Sequence, residues 1–204
     1  MNRGQLVVAV KSYLNRPNLE DDDIGTMIAS VEGEFNRELR KHPRNMRRTS
    51  YTIPENDEAG TPYTENTDIL PLPTDIASLI AVWDAQNGQS KPYRQYPPSV
   101  PLPSYGYIER GDCLQIFPMP SRGTEFFLDY TAFIAPLEAT ADTNWVSDYF
   151  SDLYLYGVLK EAAVYLKNDA RLAAWQNEFL RRLKGVKAQG WNQNMASSPK
   201  IRNG

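Results

Sequence analysis

The chain has little of what most enzyme and metal sites are built from. Its 204 residues include one cysteine, Cys113, and one histidine, His42. A lone cysteine excludes an intramolecular disulfide, and a lone histidine leaves the usual zinc sites and the Ser-His and Cys-His pairings short of parts. No metal and no cofactor is therefore expected. Positive charge is not in excess either: 22 Lys and Arg stand against 25 Asp and Glu, a net charge of -3. The chain as a whole lacks the basic balance of a general nucleic-acid binder, so any contact with DNA must come from a local patch. Long apolar runs are missing too. No segment approaches the roughly 18 uninterrupted apolar residues of a spanning helix, and the stretch from Leu6 to Val10 is too short for a signal peptide core. The expectation is a protein made in a cytosol, with no membrane contact.

Helical periodicity is present at both ends. Leu6, Val10, Tyr13 and Leu14 share one helical face before Pro17 stops the pattern. Glu20, Asp21, Asp22 and Asp23 then precede a stripe of Ile24, Met27, Ile28, Val31, Phe35 and Leu39, which predicts a longer helix with acids at its positive end, stopping near His42 and Pro43. Asp142 reads as the N-cap of a third helix running through Leu166, with Leu155, Leu159, Ala162, Ala163 and Leu166 as its stripe. Leu172, Trp175, Phe179, Leu183 and Val186 mark a fourth. From Gly190 onward the chain is polar and free of acids, which reads as an extended tail without a core of its own.

Between these ends, 11 of the 15 prolines fall from Pro54 to Pro120, which leaves little room for helices. Strands are expected at Arg48 to Ile53, Ile69 to Leu72, Ser78 to Ala85, Gly106 to Ile108, Cys113 to Phe117 and Glu125 to Phe133. In the last, Phe126, Leu128, Tyr130 and Ala132 share the apolar face. Glu109-Arg110-Gly111-Asp112 reads as a hairpin turn, with Gly111 free to take positive φ. The fold class that follows is α+β, mainly α: a discontinuous four-helix domain of residues 1–45 and 140–189, an inserted β-rich domain of residues 46–139, and an extended tail of residues 190–204.

Few constellations suggest chemistry. Asp21, Asp23 and Glu32 sit at positions 1, 3 and 12 of a calcium-loop pattern, but Thr26 occupies position 6, where that loop needs glycine. Helix capping explains the acids better. Glu125 and Asp129 lie about 13 Å apart along one strand, wider than paired glycosidase carboxylates require. Arg110-Gly111-Asp112 spells an adhesion tripeptide by chance composition of a turn, and Cys113 has no nearby histidine to activate it. The informative feature is basic: Arg37, Arg40, Lys41, Arg44, Arg47 and Arg48 oppose the single acid Glu38. Part of this is what a helix C-terminus favours. The remainder suits docking onto an acidic protein surface or passing DNA phosphates. Arg181, Arg182, Lys184 and Lys187 on the last helix read as an ordinary polar face.

Four motifs then occur in a telling order. They are Glu34 to Arg40 (Glu-Phe-Asn-Arg-Glu-Leu-Arg), Leu72-Pro73-Thr74-Asp75, Tyr107-Ile108 with Gly111, Leu114 and Pro118, and Asp152 to Gly157 (Asp-Leu-Tyr-Leu-Tyr-Gly) with Glu161-Ala162. Together with Trp175 and Phe179 on the closing helix, they resemble the head-to-tail adaptor proteins of tailed, short-tailed bacteriophages, over roughly Leu6 to Val186. The resemblance implies a non-enzymatic virion protein at the head-tail vertex, made in the bacterial host cytoplasm. It implies a ring of twelve copies docked on the portal protein, distal tail proteins on its far side, and genomic DNA passing through the channel without sequence-specific binding. The basic cluster would then meet portal or channel DNA, and Trp191, Ile201 and Arg202 would dock the tail on a neighbour or the portal. The alternative is a tail-tube or tail-completion component, or another non-enzymatic virion assembly module.

Overall fold

The computed structural model describes residues 1–54, 69–84, 92–99, 104–167 and 169–197, with Asp169 and residues 191–197 described by backbone alone. These residues form two compact units, Met1–Asn45 with Phe133–Gly204, and Met46–Ala132. The first is helical and closed by both parts of the chain. The second is all β.

In the helical unit, α1 (Arg3–Leu14) begins at a reciprocal cap: the Asn2 side chain accepts from Gln5 N–H while the Gln5 side chain accepts from Asn2 N–H. Leu6, Val7, Val10 and Leu14 are buried. Tyr13, expected on the same face, is 53% exposed instead. Helix α2 (Asp21–Glu38) buries Ile24, Met27, Ile28, Val31 and Phe35 as its spacing predicts, and its first turn holds three aspartates at the positive end of the helix dipole. It stops at Leu39, before the expected His42. The Leu39 carbonyl accepts from both His42 N–H and the Asn45 side chain, and Pro43–Asn45 forms a single 3-10 turn.

The expected third helix is two helices, and its cap is not Asp142. Asn144 caps α3 (Trp145–Tyr149), its side-chain oxygen accepting from Val146 and Ser147 N–H. The Asp142 carboxylate instead holds the preceding loop through Glu138 and Ala139 N–H. After the break at Phe150 comes α4 (Ser151–Tyr165), which buries Leu153, Tyr154, Gly157, Val158, Leu159, Ala162 and Ala163; Leu155 is only half-buried. Helix α5 (Asp169–Ser197) contributes Phe179, Leu183 and Val186 to the core. Burying each such side chain stabilises the fold by about 1.5–3 kcal/mol relative to exposure.

Two expectations need correction here. The stretch from Gly190 does not leave the helix as an extended tail; α5 continues to Ser197. Gly190 is buried, and a Cβ there would lie 2.5 Å from His42 Cδ2 and 3.1 Å from Pro43 Cδ. The glycine lets α5 pass close over the 3-10 turn. The boundary after the β unit falls at Ala132 and not at 139. Ile134 and Leu137 belong to the helical core, and their amides bond the side chains of Asn36 (2.8 Å) and Glu32 (2.9 Å) on α2.

The β unit has two sheets. Strands β1 (Met46–Thr52), β7 (Glu125–Ala132) and β3 (Ile76–Asp84) form an antiparallel sheet in the order β1-β7-β3, with Met46 opposite Thr131 and Thr52 opposite Glu125. Strands β2 (Ile69–Pro71), β6 (Cys113–Phe117), β5 (Gly106–Arg110) and β4 (Gln95–Tyr96) form the second in the order β2-β6-β5-β4. The β5–β6 hairpin turns at Gly111, whose φ is 63°. Val82, Phe126 and Leu128 from one sheet share a core with Leu70, Tyr107, Leu114 and Ile116 from the other.

Candidate functional site

The basic cluster divides between the two units. Arg37, Arg40, Lys41 and Arg44 belong to the helical unit, Arg47 and Arg48 to the β unit. In the β unit Arg48 lies opposite Asp129 in the β1–β7 register and grips its carboxylate with Nε at 2.6 Å and a second nitrogen at 2.9 Å. That hydrogen bonding, with a further bond from Trp83 Nε1, holds the Asp129 carboxyl below its ordinary range. Arg47 stands 3.7 Å from Asp75. These two arginines have internal carboxylate partners.

In the helical unit the end of α2 and the 3-10 turn form a different arrangement. The Arg44 guanidinium lies 3.9 Å above the Tyr149 ring, and no ion pair holds it among the described residues. Beneath this exposed pair is a buried frame. Asn45 donates to the Leu39 carbonyl (2.8 Å) and accepts from Trp145 Nε1 (2.8 Å), while the His42 ring stacks on Trp145 with centroids 4.6 Å apart. His42 Nδ1 accepts from Arg44 N–H at 3.2 Å, and its buried Nε2 has no hydrogen-bond partner. Burial, with the Arg44 charge beside it, pushes the His42 pKa down, so the ring is held neutral.

Of the second basic cluster, Arg181, Arg182 and Lys187 are paired on the spot. Arg182 stacks on Tyr156 at 4.0 Å and pairs with Asp152 (2.6 Å) and Glu178, Arg181 pairs with Glu178 (2.8 Å), and Lys187 pairs with Glu38. It ties α5 to α4 and α2, as an ordinary polar face does. Of the expected tail anchors, Ile201 and Arg202 lie outside the described residues, as does the Trp191 side chain.

Glu32, weighed in the sequence as position 12 of a calcium-loop pattern and set aside there, has a role that sequence reasoning missed. Its Oε1 accepts from Leu137 N–H (2.9 Å) and Tyr154 Oη–H (3.0 Å), and Asn144 Nδ2 donates to the same phenol oxygen at 2.7 Å. Burial raises the Glu32 pKa despite those bonds, and raises that of Tyr154. The network joins α2, the 133–144 loop and α4, a structural role. No group of three His, Cys, Asp or Glu that could hold a metal occurs among the described residues. In the β unit a surface depression of about 550 Å³ is lined by Gln95, Tyr96, Pro97, Pro98, Glu109 and Gly111. Its two functional groups bond each other, Gln95 Nε2 to Glu109 Oε2 at 3.3 Å. Arg110 of the adhesion-like triplet bonds Gln115 (3.0 Å), and Cys113 Sγ bonds the Arg110 carbonyl (3.2 Å). No described helix is long and apolar enough to cross a membrane.

A helical frame built from both parts of the chain, an inserted β unit and an exposed Arg–Tyr pair on a rigid turn are the parts of a protein that works by contact, an assembly component. The family model for the SU10 adaptor protein matches residues 1–202, and the chain belongs to that family of phage structural adaptors. A comparison with curated proteins returned no match.

Proposed function

We propose that the chain forms a closed ring that docks on the portal of a short-tailed phage and continues the DNA channel toward the tail, with distal tail proteins on its far face. The observation that carries this reading is the family match over nearly the whole chain. Twelve copies around the channel give every subunit the same neighbours, so a modest contact per subunit is multiplied around the ring. On the helical unit the portal contact falls to Arg37, Arg40, Lys41 and Arg44, with Trp191, Ile201 and Arg202 as further anchors. Arg47 and Arg48 are weaker candidates, because Asp75 and Asp129 already neutralise them.

Electron microscopy of the purified chain, alone and mixed with purified portal rings, tests the proposal. The expected images show a ring coaxial with the portal, with twelvefold features. Portal rings that stay bare at micromolar concentrations of both proteins, with the chain dispersed or in open filaments, would overturn it.

A further inference from the structure

We propose that Arg44 and Tyr149 form a preorganised carboxylate anchor on the helical unit, and that its occupant is an acidic segment of the protein on which the chain docks. The inference deepens the docking reading above and rests on it for the identity of the partner.

Three observations carry it. First, Arg44 lies past the end of α2, in the 3-10 turn, so attraction to the helix C-terminus does not account for its charge as it does for Arg37. Second, the pair is exposed yet held. Tyr149 is 62% exposed and Arg44 is exposed, but Arg44 follows the His42 ring stacked on Trp145 and precedes Asn45, whose side chain is bonded at both ends; Tyr149 closes α3, which Trp145 begins. A side chain already fixed on a rigid frame loses little freedom when it binds. Third, the pair has the right chemistry. The guanidinium carbon lies 3.9 Å over the Tyr149 ring and no ion pair occupies its N–H donors among the described residues, and a guanidinium fork matches a planar carboxylate. Arginine and tyrosine are also the side chains most enriched where protein interfaces concentrate their energy.

Protein carboxylate is favoured over DNA phosphate by what surrounds the pair. Phosphate binding draws on the number of unpaired cations, and Lys187, Arg181 and Arg182 in the same unit, each paired with Glu38, Glu178 or Asp152, add little to it. The chain's net charge of -3 gives no long-range attraction to DNA. Arg44 adds to its charge the aromatic floor and the fork that suit a carboxylate.

The test uses octaglutamate peptide and a short DNA duplex as probes on the full chain at low salt, with binding to portal rings read in parallel. Arg44→Lys keeps the charge but loses the guanidinium fork, and Tyr149→Leu removes the aromatic ring. Both sites are exposed, so melting temperatures should stay near wild type. Each variant is expected to weaken octaglutamate binding about tenfold, with the double variant little worse than either alone, while Lys184→Ser, an exposed charge on α5 outside the proposed contact, changes it by less than about threefold. Wild-type affinity in Arg44→Lys, or losses that add independently, would overturn the anchor. So would tighter binding of the duplex than of octaglutamate, lost in the same variants. Should portal rings fail to bind the wild-type chain while the octaglutamate pattern holds, the docking reading fails and the anchor stands.

Discussion

Glu32 is a buried acid with two hydrogen bonds on one oxygen, and that asymmetry decides how it responds to substitution. A glutamine oxygen can accept from Leu137 N–H and Tyr154 Oη–H as the carboxylate does. Only the charge is lost. Because burial raises its folded pKa above the ordinary 4.5, the group contributes its full stability below 4.5 and loses it as pH rises through the raised value. Glu32→Gln should therefore be at least as stable as wild type at pH 7.5, with a smaller advantage at pH 5. Glu32→Leu removes the acceptor, orphans the Leu137 amide and should cost about 1–3 kcal/mol at either pH. Urea unfolding at both pH values checks the pair, and a glutamine variant that loses stability at pH 7.5 would mean the charge itself is needed. The sequence showed an acid at this position. It did not show the burial, because the group's partners come from residues more than a hundred positions away.

At the scale of elements, two glycines of α5 make opposite predictions. At Gly185 an added Cβ would meet nothing within 4 Å, so Gly185→Ala should gain up to about 1 kcal/mol from helix propensity alone. At Gly190 the same Cβ would lie 2.5 Å from His42 Cδ2 and 3.0 Å from Nε2, so Gly190→Ala should cost about 1–3 kcal/mol against that propensity. Thermal unfolding of the two variants should shift in opposite directions. The same glycine explains what could be read from sequence and what could not. The stripe of α2 and the β5–β6 hairpin were legible because period and turn chemistry are local. Gly190 followed by polar residues looks like a helix stop, and only its contact with His42 shows that it serves close approach instead. Asp142 misled for a related reason: it has the chemistry of a cap, but Asn144 two residues on holds the position. The two-residue strand β4 is too short to leave a pattern. Of the candidate site, the arginines were visible as a cluster, but the Arg44–Tyr149 pair was not, since its members come from the two stretches of the helical unit that the β unit separates.

At the scale of the whole molecule, each unit has its own core, with Leu6, Phe35, Tyr154 and Phe179 in one and Ile53, Leu114, Phe126 and Leu128 in the other. The adaptor family's helical frame is thus interrupted by a complete second body, and the pairing of β1 with β7 shows how the chain tolerates it. Met46 and Thr131 are opposite one another in the ladder, so the strand that leaves the frame and the strand that returns run side by side. Across an antiparallel pair the Cα atoms are only about 4.5–5.5 Å apart. For the frame, then, the folded β unit is topologically a hairpin loop: once β1 has paired with β7, the two crossings are held together as a short turn would hold them, and the closure cost that grows with loop length is met within the β unit's own folding. Replacing Met46–Ala132 by a two-residue Asn-Gly turn should leave a soluble helical protein with a cooperative melt, as circular dichroism would show. Loss of helix signal would mean the frame depends on its insert. If the frame survives, the two crossings are a graft point, at which one inserted body can be exchanged for another while the helical mount stays the same.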